Sequence, residues 1–191
     1  MISSGKTRLA GVMGWPVAHS RSPLVHGFWL EHYGIDGAYL PLVVPPERLQ
    51  AALGGFAALG FSGCNLTIPH KVAALDMVGE VSPLASRIGA VNTVIVKKDG
   101  TLRGDNSDAF GFLENLQDCA PKLDLATGPA IVLGSGGAAR AVCAGLLQSG
   151  APEIRISNRN MERAEALAAI FGVAIQPLPW RERHAALQDA A

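Results

Sequence analysis

Two hydrophobic patterns alternate along this chain. Short apolar stretches rich in β-branched residues predict strands, and apolar residues recurring every three or four positions predict helices. Their regular alternation is typical of an α/β protein with a largely parallel sheet. We predict strands over residues 8–13, 38–44, 63–68, 91–96, 101–104, 130–133, 153–157 and 173–177, helices over 22–33, 46–56, 108–119, 138–148 and 161–171, further helical stretches between 71 and 87, and a last helix that includes 187–191.

The pattern also predicts two domains. We assign residues 1–108 to a substrate-binding and catalytic domain with a mixed, mostly parallel sheet, and residues 109–191 to a Rossmann-like nucleotide domain. Residues 121–129 contain two prolines and one glycine, a composition typical of a connecting loop. We expect the linkage between the domains around this loop.

Composition narrows the classes of function. Hydrophobic residues make up 49% of the chain and charged residues 17%, which favours a packed core over disorder. Sixteen basic residues balance sixteen acidic ones, so no basic excess points to nucleic acid or an anionic membrane. The N-terminal residues contain no secretory apolar region, and we expect a cytoplasmic protein. We expect no metal site, because the histidines and cysteines lack ligand spacing, and we expect buried thiols at Cys64, Cys119 and Cys143.

The second half contains a dinucleotide fingerprint. Residues 134–139 fit G-x-G-x-x-A between a predicted strand and a predicted helix. Gly134 permits a tight turn, Gly136 lets the backbone approach a pyrophosphate, and Ala139 is small enough for close helix packing. A tight turn without a ligand is the alternative. The predicted cofactor-binding residues of this turn are Gly134, Ser135, Gly136, Gly137 and Ala138.

The end of the next predicted strand bears on which nucleotide binds. An NAD site would have an acidic residue there for the ribose hydroxyls. This chain instead has Asn158, Arg159 and Asn160, with Arg163 one helical turn later. Guanidinium and amide donors suit a 2′-phosphate, so we predict NADP. An exposed basic helix start without a ligand is the alternative.

Polar residues also follow the predicted strands of the first half. Ser20 and Ser22 lie beside a predicted helix start and could donate to a carboxylate, although Ser22 could equally be the helix N-cap. Thr67 lies within the third predicted strand, on the same face as Asn65. Lys71 follows just past the strand end, where a lysine could also be an ordinary surface charge. Asp108, with Asn92 earlier in the chain, could be a site residue or a helix cap. Open α/β sheets bind ligands where their strands end, so we predict a polar substrate site here.

Together these segments resemble the shikimate dehydrogenase family over nearly the whole chain. The family's motifs occur in order as GWPVAHSRSP at 14–23, NLTIPHK at 65–71, GAVNT at 89–93, GDNSD at 104–108, GSGGAAR at 134–140 and NRNMER at 158–163. Two positions depart from the family pattern. Ser107 and Asn160 each stand where the family usually has threonine.

The resemblance implies a function and a role for each matched residue. It implies the reversible, NADP-dependent reduction of 3-dehydroshikimate to shikimate in aromatic amino-acid biosynthesis. Ser20 and Ser22 would bind the substrate carboxylate. Lys71 and Asp108 would be the catalytic pair, and either could be the formal acid. The residues implied to hold the ring hydroxyls are Thr67, Lys71, Asn92 and Asp108.

The resemblance also implies that family members continue beyond residue 191. Their further strand, Asn-x-Thr-Ser segment and terminal helix complete the nicotinamide side and supply a glutamine to the substrate. We therefore expect either a truncated chain with an incomplete nucleotide domain or a partner that completes it, and a homodimer is possible. A quinate/shikimate dehydrogenase, a non-catalytic shikimate-binding remnant and a methylene-tetrahydrofolate dehydrogenase remain alternative hypotheses.

Overall fold

A computed structural model describes residues 4–191, and residues 1–3 of the N-terminal segment lie outside the described part. The chain divides into two compact units. The first runs to Ser86 and continues over Ala90–Asn106, and the second comprises Arg87–Gly89 and Ser107–Ala191. The loop of residues 121–129 therefore lies inside the second unit. The predicted linkage in this loop is wrong, because the helix that precedes the loop packs within the second unit.

The first unit is built on a six-stranded mixed sheet in the order β2-β1-β3-β5-β6-β4. β1 pairs in parallel with both β2 and β3, whereas the β5–β6 hairpin is antiparallel and joins β3 on its other side. The sheet is mixed because a tight turn connects this hairpin, while helices connect the parallel strands. The elements are β1 (Arg8–Gly14), α1 (Ser22–His32), β2 (Gly37–Val43), α2 (Leu49–Gly55), β3 (Phe61–Leu66), α3 (His70–Ala73), β4 (Glu80–Val81), α4 (Pro83–Ile88), β5 (Thr93–Val96) and β6 (Leu102–Asp105), with short 3₁₀ turns at Pro46–Arg48 and Ala74–Asp76.

One face of this sheet forms the core of the first unit. Met13 of β1 is fully buried there and packs with Leu66 of β3 and Val94 of β5. Leu49 and Leu53 of α2 close the same core. Residues one position along each strand point to the opposite face, where α1 contacts β1 and β2.

The second unit contains three parallel strands in the order β7-β8-β9, each connected to the next by a helix. This topology is one mononucleotide-binding half of a Rossmann fold. Ile154 and Ile156 of the central strand are fully buried beneath Leu146 and Leu167. The elements are α5 (Asp108–Cys119), β7 (Ala130–Leu133), α6 (Gly137–Gln148), β8 (Ile154–Asn158), α7 (Met161–Phe171) and β9 (Ile175–Pro179), with 3₁₀ turns at Gly172–Ala174, Trp180–Glu182 and Ala185–Leu187.

The predicted C-terminal helix is wrong. Hydrogen bonds of the 3₁₀ type run from the Leu187 and Gln188 N–H groups to carbonyls three residues earlier. Both oxygens of Asp189 accept from the guanidinium of Arg155, at 2.5 and 3.0 Å. The Ala191 N–H donates to the Pro129 carbonyl at 3.1 Å. These tertiary bonds compete with the i to i−4 bonds of an α-helix.

Gly63 marks a close approach between β3 and β5. It lies at a register shift in the β1–β3 pairing and has a φ of +152°, and a Cβ built on it would overlap the carbonyl oxygen of Val94. We predict that Gly63→Ala lowers the free energy of unfolding by about 2–4 kcal/mol, because neither backbone can move apart without breaking the ladder. Urea unfolding measures the change.

Gly27 is the matched control in the same unit. It lies within α1, and its Cβ would meet no atom within 4 Å. Gly27→Ala should raise the free energy of unfolding by roughly 0.5–1 kcal/mol through helix propensity. Equal effects of the two substitutions would contradict the steric explanation.

Candidate active site

The carboxyl ends of β1 and β3 lie side by side in the first unit. Gly14 ends β1, and Thr67 directly follows β3 with its N–H donating to the Met13 carbonyl at 2.9 Å. A Cβ on Gly14 would overlap the Thr67 methyl group, so glycine permits this close approach. The predicted strand over 63–68 is displaced by two residues. Thr67 therefore lies on the loop that leaves the sheet, the usual position of ligand-binding residues in such sheets.

Lys71 lies in the short helix α3, which two hydrogen bonds tie to the rest of the first unit. The neighbouring His70 is buried, and its Nε2 lies 2.8 Å from the Val44 carbonyl. A carbonyl only accepts, so Nε2 is the protonated nitrogen. Burial lowers the pKa of His70, which favours the neutral imidazole with its proton on Nε2. The Lys71 carbonyl in turn accepts from the Val91 N–H at 2.7 Å, which brings α3 beside Asn92.

Asn92 is buried between three elements of the first unit. Its backbone N–H donates to the Asp105 carbonyl at 3.0 Å, and its carbonyl accepts from the Leu66 N–H at 2.7 Å. Its side-chain oxygen accepts from the Thr93 hydroxyl at 2.8 Å. The predicted strand over 91–96 begins only at Thr93, so Asn92 precedes β5.

Asp108 is the first residue of α5 and belongs to the second unit. Ser107, the preceding residue, occupies the N-cap position. Asp108 is therefore not the N-cap, although a carboxylate in the first turn suits the positive end of the helix. The convergence of Lys71 and Asp108 stays a prediction.

Ser20 and Ser22 lie at the start of α1, and both are half-buried. The Ser22 N–H donates to Ser20 Oγ at 3.3 Å. Ser22 is the first residue of the helix, and Arg21 is its N-cap without a side-chain capping bond. The interpretation of Ser22 as N-cap is therefore wrong.

The glycine turn of the second unit has the geometry that its sequence predicts. Gly134 has a φ of +111°, and its N–H donates to the Ser157 carbonyl at 2.8 Å. Gly136 is the N-cap of α6, and Cβ atoms on Gly134 and Gly136 would meet no other atom within 4 Å. Residues from Gly137 onward form the helix, one position earlier than predicted. Ala138 is exposed in its first turn, and Ala139 packs on the core of this unit.

These features fit a pyrophosphate. The backbone leaves open space beside both glycines, and the N–H groups of a twelve-residue helix start there. Asn158 at the end of β8 donates from Nδ2 to Ser135 Oγ at 2.6 Å, which joins the turn to the next strand.

The basic segment after β8 is exposed at Arg159, Asn160 and Arg163. Asn160 is the N-cap of α7, and its Oδ1 accepts from the Arg163 N–H at 3.0 Å. Its oxygen therefore faces the helix, and its nitrogen is the end available as a donor. No acidic residue occurs at 158–161, so no carboxylate there would repel a phosphate.

The three cysteines differ in their exposure to solvent. Cys64 and Cys143 are buried, and burial raises the pKa of each thiol to about 12. The prediction of a buried Cys119 is wrong, because this last residue of α5 is exposed.

Within residues 4–191, no three His, Cys, Asp or Glu side chains are grouped to hold a metal ion, and no helix is long and apolar enough to cross a membrane.

The sequence prediction missed Tyr39. An aromatic residue in a strand-like stretch is ordinary for a sheet, so periodicity alone gives it no functional meaning. Its polar contact is with Asn65 on another strand, as described below.

Both halves of the chain match known protein families. Residues 12–94 match the shikimate dehydrogenase substrate binding domain, and residues 117–191 match the shikimate / quinate 5-dehydrogenase family. The shikimate dehydrogenase (NADP(+)) of Paramagnetospirillum magneticum is 55% identical over 98% of this chain and 68% of its own length. The chain thus spans about two thirds of this relative.

Two solved structures are similar in fold. The shikimate 5-dehydrogenase of Thermus thermophilus, in complex with NADP(H) and shikimate, is 45% identical with a TM-score of 0.79, over 92% of this chain and 64% of the other. The quinate dehydrogenase of Corynebacterium glutamicum, in complex with NAD, is 28% identical with a TM-score of 0.86, over 96% of this chain and 68% of the other.

The cap of α7 can be tested separately from any ligand. Asn160→Ala removes the acceptor for the Arg163 N–H, and we predict a loss of about 1 kcal/mol in the free energy of unfolding. Asn160→Asp keeps an acceptor at the same place and should retain the stability. Urea unfolding of the three proteins decides. An alanine variant as stable as the original chain would contradict this role of Asn160.

Proposed function

Because the chain belongs to the shikimate dehydrogenase family, we propose that it carries out the NADP-dependent, reversible reduction of 3-dehydroshikimate to shikimate. One observation carries the proposal. Motifs for a small hydroxy acid follow the parallel strands of one unit, and a glycine turn at a helix start follows the first strand of the other. Family members of this kind are oxidoreductases, and the chain holds both sets of residues.

In this proposal the first unit binds shikimate. Ser20 and Ser22 donate to the carboxylate of the substrate, which is a stronger acceptor than a neutral oxygen. Thr67 and Asn92 hold the ring hydroxyls. The support for these roles is the position of all four side chains beside the carboxyl ends of β1, β3 and the start of β5.

Lys71 and Asp108 are the residues for proton transfer in this proposal. An oxygen that gains negative charge as the carbonyl is reduced requires a proton, and a positioned acid contributes about 10²–10⁴-fold to the rate. The Lys71 ammonium supplies the proton or the positive charge at this oxygen, and Asp108 is the second member of the proposed catalytic pair. His70 and Val91 support the role of Lys71, since they hold α3 in place through hydrogen bonds to the main chain.

The second unit would hold NADP. Its pyrophosphate would lie over the open backbone of the turn at Gly134, Ser135, Gly136, Gly137 and Ala138. The 2′-phosphate would bind Arg159, Arg163 and the amide nitrogen of Asn160, with Asn158 bracing the turn through Ser135. When bound, the nicotinamide supplies or accepts the hydride.

One observation favours another candidate. The likeness to a quinate dehydrogenase favours quinate as an alternative substrate. A non-catalytic chain that binds shikimate without turning it over is the other alternative hypothesis.

We further propose that the protein acts in the cytoplasm. Its three cysteines are free thiols, which suits a reducing compartment. A homodimer stays a proposal whose test is the mass in solution.

A spectrophotometric assay at 340 nm tests the function. We expect NADPH to form from shikimate and NADP, with lower activity from NAD and from quinate. Faster turnover of quinate would favour the quinate candidate. No NADPH from either acid, together with retained shikimate binding by calorimetry, would favour the non-catalytic candidate.

Lys71→Ala tests the proton role. We predict that kcat falls about 10²-fold or more while KM for shikimate changes little, because the ammonium acts mainly on charge that develops in the transition state. Lys98→Ala, an exposed lysine on the β5–β6 turn, is the matched control and should leave both constants unchanged. A large rise in KM with an unchanged kcat would make Lys71 a simple binding residue.

A further inference from the structure

Tyr39 on β2 is linked through Asn65 to the start of β5 in the first unit. The Tyr39 hydroxyl donates to Asn65 Oδ1 on β3 at 2.7 Å. The side-chain nitrogen of Asn65 in turn lies within hydrogen-bond distance of the Asn92 carbonyl and the Thr93 hydroxyl.

The available atoms fix the direction of each bond in this network. Asn65 Nδ2 lies 3.5 Å from the Asn92 backbone carbonyl, which can only accept. The nitrogen of Asn65 must therefore face Asn92, and its oxygen faces Tyr39. Tyr39 is consequently the donor in its bond to Asn65.

The same logic extends to the side chain of Asn92. Asn65 Nδ2 also donates to Thr93 Oγ1 at 3.2 Å. The Thr93 hydroxyl then directs its own proton to Asn92 Oδ1 at 2.8 Å. The side-chain oxygen of Asn92 thus faces Thr93, and its nitrogen forms the opposite end of the amide.

Tyr39 is suited to impose this direction. Burial raises the pKa of Tyr39 to about 12, so its hydroxyl keeps its proton at neutral pH. The ring of His26 on α1 stacks on it, with centroids 3.9 Å apart and an interplanar angle of 7°. This stack limits rotation of the phenol.

We propose that Tyr39 is a positioning residue that, through Asn65 and Thr93, orients the Asn92 amide for a ring hydroxyl of shikimate. The inference rests on the function proposed above, in which Asn92 binds a ring hydroxyl. Ordering this amide beforehand reduces the entropy lost on binding.

Calorimetric titration of the chain with shikimate tests the binding effect. Tyr39→Phe should weaken shikimate binding about five- to tenfold, the loss expected for about one hydrogen bond, with NADP binding unchanged. Tyr33→Phe is the matched control at the other tyrosine, which is 69% exposed, and should bind shikimate normally. If the Tyr39→Phe variant binds shikimate as tightly as the original chain does, the proposal is overturned.

A double-mutant cycle tests the chain of bonds. Thr93→Val should also weaken shikimate binding, and the double variant should bind about as weakly as Tyr39→Phe alone, because both substitutions interrupt one path. Losses that multiply would show independent contacts and overturn the shared path.

A measurement without shikimate separates this inference from the proposed function. The side-chain amide signals of Asn92 in a ¹⁵N NMR spectrum should shift in both Tyr39→Phe and Thr93→Val, and stay in place in Tyr33→Phe. Unmoved Asn92 signals in Tyr39→Phe would overturn the inference whatever the chain binds. Shifted signals in a chain that does not bind shikimate would instead contradict the proposed function.

Discussion

The parallel pairing of β1 with β3 is the constraint on which the first unit depends. Parallel strands carry their ends to the same edge of the sheet, so the segments that leave β1 and β3 start side by side. The glycine at the end of β1 removes the one side chain that would keep Thr67 away. Ser20 and Ser22 lie on the segment that leaves β1, and Lys71 lies on the segment that leaves β3.

The second unit repeats this arrangement of a strand end with different donors. Here the strand end is followed by glycines and the start of a long helix, so backbone N–H groups take the place of side-chain hydroxyls. Asn158 at the end of the neighbouring strand braces the turn through Ser135. Parallel strands thus concentrate donors at one edge in both units, and the loop composition decides which anion they suit.

Much of this could be predicted from sequence because local physics fixes it. The β5–β6 hairpin and α7 occur where turn chemistry and periodicity place them, and Gly134 forms the predicted tight turn, with a positive φ. The errors arise where distant groups compete with local preference. The final residues bond to Arg155 instead of forming an α-helix. Helix periodicity also gave no warning that Cys119 is exposed.

The unequal surroundings of the three thiols have a practical consequence. Two are enclosed by the cores of their units and hold their protons firmly, whereas the one at the end of α5 is open to solvent. A maleimide dye added to the native chain would therefore attach at a single place without any engineering. A fluorophore there would report on the nucleotide unit alone, and its signal could follow coenzyme titrations in a chain whose other cysteines stay silent.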